Sequence, residues 1–506
     1  MEQSILLAAT VAASALALHG YFSRRSSLPL PPGPRRLPII GNLLDIPKVY
    51  PWIKYSEWAK KYGDVISLSV FGHTMIILNT HEAIKNVVLA RSTKFSGRPH
   101  VQYADMADWS TSNLSVMSAT REWADRYRIM NNYFRPKAIQ RYRQVQTEKL
   151  VSMMKRVIKD PNNVQNDTRK YAAAFIMDVV YGFDVETGSQ HLVQINEDFQ
   201  KYSYLLLPGA LIVNSLPILG RLPPWMLGHE FATLVEKGRE AWRRVREDPF
   251  NWVKAGIKGG TAKESLVRTS LADLAEGDAN AERVISDAFG NVFSAGVDTS
   301  YGTIRNALLQ MALQPSIQVK AQEELDRVVG SERLPNFDDR ANLPYIQAIL
   351  MEALRWEPLI PLGIPHKTEE DVFLDDFYIP KGAMVIGNTG AILTDPARYP
   401  DPGAFKPERH LSADGQVVDD PLIDYAFGFG TRRCPGRHFF DMTTWLYLAT
   451  ILTFFNITKA KDENGNEIPV EVKYDGALAF GHAPLPFSCA AVPRDLARLE
   501  RLLQQY

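Results

Sequence analysis

Apolar residues fill positions 5–22, broken only by Thr10, Ser14, His19 and Gly20. A run of roughly 18 such residues stands at the lower limit for a helix that crosses a bilayer. Arg24 and Arg25 follow it, and Glu2 is the only charged side chain before it. Basic residues flanking a span stay on the cytosolic side, so the pattern predicts one N-terminal span with the rest of the chain in the cytosol. A cleaved signal peptide is the rival reading, since Ala15-Leu16-Ala17 resembles a cleavage site, but the basic leader of such a peptide is missing. The prolines at 29, 31, 32 and 34 then fix φ and remove N–H donors, which makes a stiff, extended tether.

Past the tether the pattern changes period. Residues 64–79 alternate around Gly72-His73 and are rich in Val and Ile, which predicts two strands. A similar strand–turn pattern covers 372–387 around Pro380-Lys381-Gly382, and 476–493 is also strand-like. Most of the remainder is helical. The longest helical pattern, 281–314, carries Ile285, Phe289, Val292, Phe293, Ile304 and Leu308 near helical spacing and stops at Pro315. Such a helix is about 50 Å long and must cross a whole domain. No linker, repeat or low-complexity tract divides the chain. The expected fold is mainly α with small β-sheets: one large domain over 29–506, behind an anchor and hinge over 1–28.

Composition changes this picture little. Among 506 residues, 45% are hydrophobic and 23% charged, as in a globular protein with a large core. The 57 basic and 57 acidic residues cancel, so no global charge points to nucleic acid. Two cysteines, Cys434 and Cys489, cannot make a disulfide scaffold. The sequons at Asn113, Asn166 and Asn456 are expected to be unused on a cytosolic domain.

The densest chemistry lies at Phe427-Gly428-Phe429-Gly430-Thr431-Arg432-Arg433-Cys434-Pro435-Gly436, ahead of an apolar helical stretch over 437–455. Pro435 suits a first helical turn, which puts Cys434 at a helix N-terminus, where free N–H groups and the helix dipole favour a thiolate. The glycines allow a tight turn around the sulfur, and Arg432 can pair with an anionic cofactor group. From the residues alone, a lone cysteine such as Cys434 is usually a small buried hydrophobe, and spacing does not exclude a hydrolase nucleophile with a histidine elsewhere. Closed zinc coordination would need about four ligands, and Cys434 with His438 makes two.

The decade 427–436 resembles the haem-binding signature of cytochromes P450, F-x-x-G-x-R-x-C-x-G, at Phe427, Gly430, Arg432, Cys434 and Gly436. Glu352-Ala353-Leu354-Arg355 is similar to that family's E-x-x-R, although Glu324-Leu325-Asp326-Arg327 offers a decoy. Phe405-Lys406-Pro407-Glu408-Arg409 resembles its P-E-R segment; there Glu352, Arg355 and Arg409 would form a structural cluster behind the haem. Ala295-Gly296-Val297-Asp298-Thr299-Ser300 resembles the oxygen-binding groove A-G-x-D-T. Read without that likeness, it is a helix kink with Thr299 bonded back to a carbonyl; the helix-interior glycine, which costs about 1 kcal/mol relative to alanine, suggests something approaching the backbone.

The resemblance implies haem b with Cys434 as iron ligand, and Thr299 with Asp298 as the alcohol and acid that deliver protons. The family's W-x-x-x-R appears as Trp123 with Tyr127 in the arginine position and Arg126 and Arg128 beside it, so Arg128 is the favoured partner of a haem carboxylate, with Trp123 beside it and His366 as a second. At Thr389-Gly390 the chain also lacks an aromatic residue usual in the family. Pro31-Pro32-Gly33-Pro34 and the stretch 58–64 are similar to fungal microsomal oxygenases of the O-methylsterigmatocystin oxidoreductase type.

The expected activity is then insertion of one oxygen atom from O2 into a lipophilic small molecule, in fungal secondary metabolism, at the endoplasmic reticulum membrane. Electrons would come from NADPH-cytochrome P450 reductase, docking near Arg433, Arg437, Arg126 and Arg128. Substrate walls would come from 101–115, 289–299, 359–364 and 478–482, with Phe289 and Phe480 as contacts. A haem-thiolate isomerase or dehydratase, and a non-catalytic haem-based ligand-binding membrane protein, are the alternatives.

Overall fold

The computed structural model describes residues 28–506 apart from 187–190, 208, 209, 217, 276, 331, 375 and 475–480. The apolar run at 5–22 lies outside the described residues, and among those described no helix is long and apolar enough to cross a membrane. The architecture is mainly helical with small sheets, as expected.

Helix α1 (Pro51–Tyr62) precedes a hairpin of β1 (Val65–Val70) and β2 (His73–Leu78). Phe71 and Gly72 turn it with φ of 47° and 82°, and two successive positive φ values match the twist of a tight hairpin. The second strand pattern folds differently from its reading. Tyr378–Ile379 does not pair across Pro380-Lys381-Gly382; it pairs back with Val372–Phe373. The later strand β4 (Met384–Gly387) instead joins β2 in parallel, and β3 (His366–Lys367) covers its other side, giving the order β1-β2-β4-β3. Local alternation marks a strand but not its partner.

The helices that frame the site are α2 (Arg121–Phe134), α3 (Val164–Tyr181), α4 (His229–Lys258), α5 (Ala279–Leu313), α6 (Pro344–Trp356) and α7 (Arg437–Phe454). Thr120 caps α2 by accepting the Trp123 N–H (3.3 Å), and Asp278 caps α5 through the Ala281 N–H (2.9 Å). Helix α5 crosses the domain against α2, α3 and α4. It ends at Leu313, and after Gln314 the next helix opens on Pro315. Helix α7 is buried along almost its whole length and ends where β5 (Phe455–Lys459) begins, so Phe455 belongs to a strand. Of the strand-like 476–493, the five residues of β6 (Cys489–Pro493) pair with β5.

Two local expectations acquire physical reasons. At Gly390, an added Cβ would lie 2.9 Å from Trp52 Cδ1, so the ring missing from the Thr389-Gly390 pair is supplied by α1. The decoy Glu324 is no surface ion pair: it is buried, and its carboxylate accepts the N–H groups of Tyr345 and Ile346 (3.1 and 3.4 Å), capping α6. The Asn113 side chain is buried and accepts hydrogen bonds from Ser115.

Candidate active site

Helix α7 begins after Gly436, so Pro435 and Cys434 precede its cap; Pro435 is not in the first turn as expected. Backbone N–H groups still reach the sulfur, but they do not bring the thiol below its ordinary value. The N–H groups of Gly436 and Arg437 both hydrogen-bond to it. Burial raises the Cys434 thiol above its ordinary value, and these two N–H groups with the Arg437 charge offset only part of that rise. The loop in front is closed by the Cys434 N–H, which donates to Phe427 O at 2.8 Å. Gly428 (φ 76°, ψ −172°) and Gly430 (φ 64°) make the turn in backbone regions that side chains avoid. A Cβ on Gly436 would sit 3.7 Å from the sulfur, an ordinary contact. Cys489 is different in kind: it lies in the paired strand β6, and burial pushes its thiol up to about 12.

Beside this loop is a cluster of buried cationic groups. Arg432 donates to Leu114 O (3.1 Å) and Met117 O (2.7 Å), its guanidinium lies 4.2 Å over the Trp123 ring, and its Nη1 has no partner. Burial brings its pKa down to about 10. Arg98 donates to Ile364 O and Pro365 O (both 2.8 Å), and its Nε is unpartnered. Burial, with the Arg432 charge beside it, holds Arg98 well below the usual guanidinium range. The Lys367 N–H donates to Gly97 O (2.9 Å), so 97–98 runs beside β3 and brings Arg98 to His366.

His366 is buried, stacks on Phe429 (5.0 Å between centroids) and gives its Nδ1–H to Phe95 O at 2.7 Å. Burial and the Arg98 charge press it down to about 3, so it is neutral here and offers a carboxylate no N–H unless it takes up a proton. No carboxylate among the described residues pairs with Arg98 or Arg432. Buried unpaired charges are expensive, so the arrangement calls for an anionic group, and the two carboxylates of haem fit it.

Sequence reading missed Arg98, because an arginine before Pro99 in a loop carries no periodic signal. It misplaced Arg128, which is exposed and pairs with Asp125 (2.9 Å) rather than joining the cluster. Arg126 is not on a docking surface: it is buried and donates to Asp287 (2.6 and 3.0 Å), which Arg246 also holds at 2.6 Å. Arg433 pairs with Asp424, and a groove of 680 Å³ alongside is lined by Arg340, Arg437, Asp424 and Asp441, so the expected basic face is of mixed sign.

On α5, Ala295 is exposed and Gly296, Asp298 and Thr299 are partly so, although the helix is otherwise largely buried from Ile285 to Ala312. Thr299 donates to Ala295 O (2.9 Å), the back-bond of an ordinary helical threonine. Asp298 takes both Nε and Nη2 of Arg169 (3.2 and 3.1 Å) on α3; burial pushes its carboxyl up against that pairing. No hydrogen bond joins Asp298 to Thr299 among the described residues. What approaches the backbone at Gly296 is protein: an added Cβ would meet Ile176 Cδ1 at 2.7 Å. Phe289 is fully buried against Tyr133, so it is core rather than a substrate contact, and Phe480 lies outside the described residues.

The E-x-x-R likeness forms a closed cluster. Glu352 accepts Arg355 (2.7 and 2.9 Å), Arg409 (3.1 Å), His410 (2.9 Å) and the Lys406 N–H (2.8 Å). His410 was not foreseen.

A family model described as cytochrome P450 matches residues 31–472. The chain is 35% identical to cytochrome P450 monooxygenase 105 of Postia placenta over 97% of its length and 94% of that protein's. It is 35% identical to cytochrome P450 monooxygenase claR of Ampulloclitocybe clavipes, covering 96% and 90%. Against cytochrome P450 monooxygenase COX1 of Coprinopsis cinerea the identity is 33%, covering 91% of each.

Proposed function

This chain belongs to the cytochrome P450 family, and from that premise we propose that Cys434 is the axial ligand of its haem iron and that the enzyme oxidises a lipophilic small molecule. The family consists of haem-thiolate monooxygenases that bind haem b through a cysteine thiolate and draw electrons from a reductase. The observation that carries the ligand reading is the pair of N–H groups, Gly436 and Arg437, aimed at the Cys434 sulfur. The other cysteine sits in a strand, where its sulfur accepts the Gln165 side-chain amide (3.6 Å) and no pair of backbone N–H groups is described.

Bound haem supplies reductive activation of dioxygen, one atom of which enters the substrate while the other leaves as water. The chain's residues do the rest. Cys434 holds a thiolate that two N–H groups stabilise. Arg98 and Arg432 bind the haem carboxylates, with Trp123 supporting the Arg432 plane and His366 closing the cluster. Phe427 and Gly436 bound the cysteine loop. Asp298, held in place by Arg169, and Thr299 on the accessible stretch of α5 hold and pass protons. The apolar composition of 359–364, with Val101, Met106 and Leu114 in the earlier segment, supports a lipophilic substrate.

The apolar run with its trailing arginines supports a single-pass anchor over 1–28, a cytosolic domain over 29–506, and an endoplasmic reticulum location with membrane-bound reductase as partner. The likeness to the O-methylsterigmatocystin oxidoreductase type, and the fungal relatives, support a place in secondary metabolism.

Purified protein, reduced under carbon monoxide, is expected to show the red-shifted Soret band of thiolate ligation, and Cys434→Ser to lose it. A variant that keeps the band removes Cys434 from this role.

A further inference from the structure

The peptide group that joins Arg433 to Cys434 is held at both of its polar atoms. Its N–H donates to Phe427 O at 2.8 Å. Its carbonyl oxygen, that of Arg433, accepts the Tyr127 hydroxyl at 3.1 Å. Tyr127 lies one helical turn from Trp123 on α2, and the two rings stack with centroids 4.7 Å apart and planes 23° from parallel. Trp123 in turn carries the Arg432 guanidinium at 4.2 Å. One face of α2 therefore grips two consecutive residues of the loop, Arg432 by its side chain and Arg433 by its backbone.

Tyr127 occupies the position at which the family likeness calls for arginine. A phenol brings no charge to the cofactor. What it brings is a hydrogen bond to the backbone one residue before the sulfur, from a partly buried hydroxyl whose pKa burial has raised and which therefore stays protonated as a donor. Resting on the assignment of Cys434 as iron ligand, we propose that Tyr127 is a positioning residue. It replaces a cofactor-binding cation with a brace that holds the cysteine loop in register, leaving the cationic binding of haem to Arg98 and Arg432.

The brace acts on the loop through one hydroxyl, so its removal should loosen the sulfur without emptying the site. In the holoenzyme, Tyr127→Phe keeps the stack on Trp123 and loses only the hydroxyl. The reduced carbon monoxide complex of this variant is expected to convert from the thiolate to the protonated-thiol form about fivefold faster than wild type, the factor carried by one net hydrogen bond. Its haem reduction potential is expected to move as well. Tyr133→Phe is the control: it also loses a hydroxyl hydrogen bond on α2, to Ser270 (2.9 Å), remote from the loop. It should lower thermal stability and leave conversion rate and potential unchanged.

If Tyr127→Phe matches wild type in both readings, or if Tyr133→Phe shifts them equally, the brace is rejected. Should Tyr127→Phe fail to retain haem, hydrogen exchange on wild-type holoenzyme decides: the Cys434 amide is expected to exchange as slowly as those of α7. Exchange as fast as in the exposed 461–467 hairpin overturns the proposal. A wild-type complex that never shows the thiolate band would instead refute the assignment of Cys434, so the two failures are separate.

Discussion

The Arg98 guanidinium is buried within range of the Arg432 charge, and no described carboxylate neutralises either. Two cations in one dry place hold each other at a cost unless an anion joins them. Haem binding should therefore depend on Arg98 and not on Arg128. Arg98→Gln is expected to lose haem to an acceptor protein roughly tenfold faster, as fits the loss of a charge-assisted hydrogen bond. Arg128→Gln should release haem at the wild-type rate. Equal rates for Arg98→Gln and wild type would remove Arg98 from the site.

Glu352 is the ionised centre of the cluster behind the cysteine loop. Burial works against its charge, but hydrogen bonds from His410 and Arg355 hold its carboxyl at about 2. A folded-state value below the ordinary glutamate value stabilises the fold above that ordinary value and ceases to do so as pH falls toward 2. The contribution is about 3 kcal/mol near neutrality and roughly half of that at pH 3. Glu352→Gln should thus be strongly destabilised at pH 7, with a gap to wild type that narrows in acid. Thermal unfolding of both proteins across pH 3–7 tests this, and a gap that stays constant contradicts it.

Gly296 is a packing glycine. Gly296→Ala is expected to destabilise the fold by about 1–3 kcal/mol through overpacking against Ile176 Cδ1. Ile176→Val removes that atom, so Gly296→Ala in the Ile176→Val background should cost little. Equal penalties in the two backgrounds would show that the glycine serves something else.

Thr299 gives its hydroxyl to Ala295 O within its own helix, so its loss should barely touch stability. Thr299→Ala is expected to unfold within about 1 kcal/mol of wild type, alanine being the better helix former. If Thr299 moves protons, NADPH consumed per product formed should rise several-fold, with Thr299→Ser restoring the ratio. Unchanged coupling in Thr299→Ala would take Thr299 out of the mechanism.

Deletion of residues 1–28 should release the chain from membranes with its haem retained, because the described core is built from residues beyond the tether. Absorbance spectra of the soluble fraction read this directly. Loss of haem on deletion would make the N-terminal segment part of the fold.

Some of this was legible in residue order alone. Helical class, the long helix α5 and the cysteine loop are local matters, fixed by spacing of apolar residues, by prolines and by glycines that must take positive φ. Glu352 and Arg355 could be read together because one helical turn separates them. The rest depended on contacts between segments far apart in the chain. Arg98 meets Arg432 and His366 only because 97–98 runs beside β3. Arg126 was sent inward by Asp287, on a helix more than 150 positions away, while Arg128, two residues on in α2, was left in solvent. Ile176, not a ligand, is what Gly296 makes room for. Glu324, a motif in sequence, became the cap of another helix. Periodicity tells which face of an element is turned inward, but burial and charge pairing are settled by whatever the fold packs against that face, and that information lies in the tertiary structure.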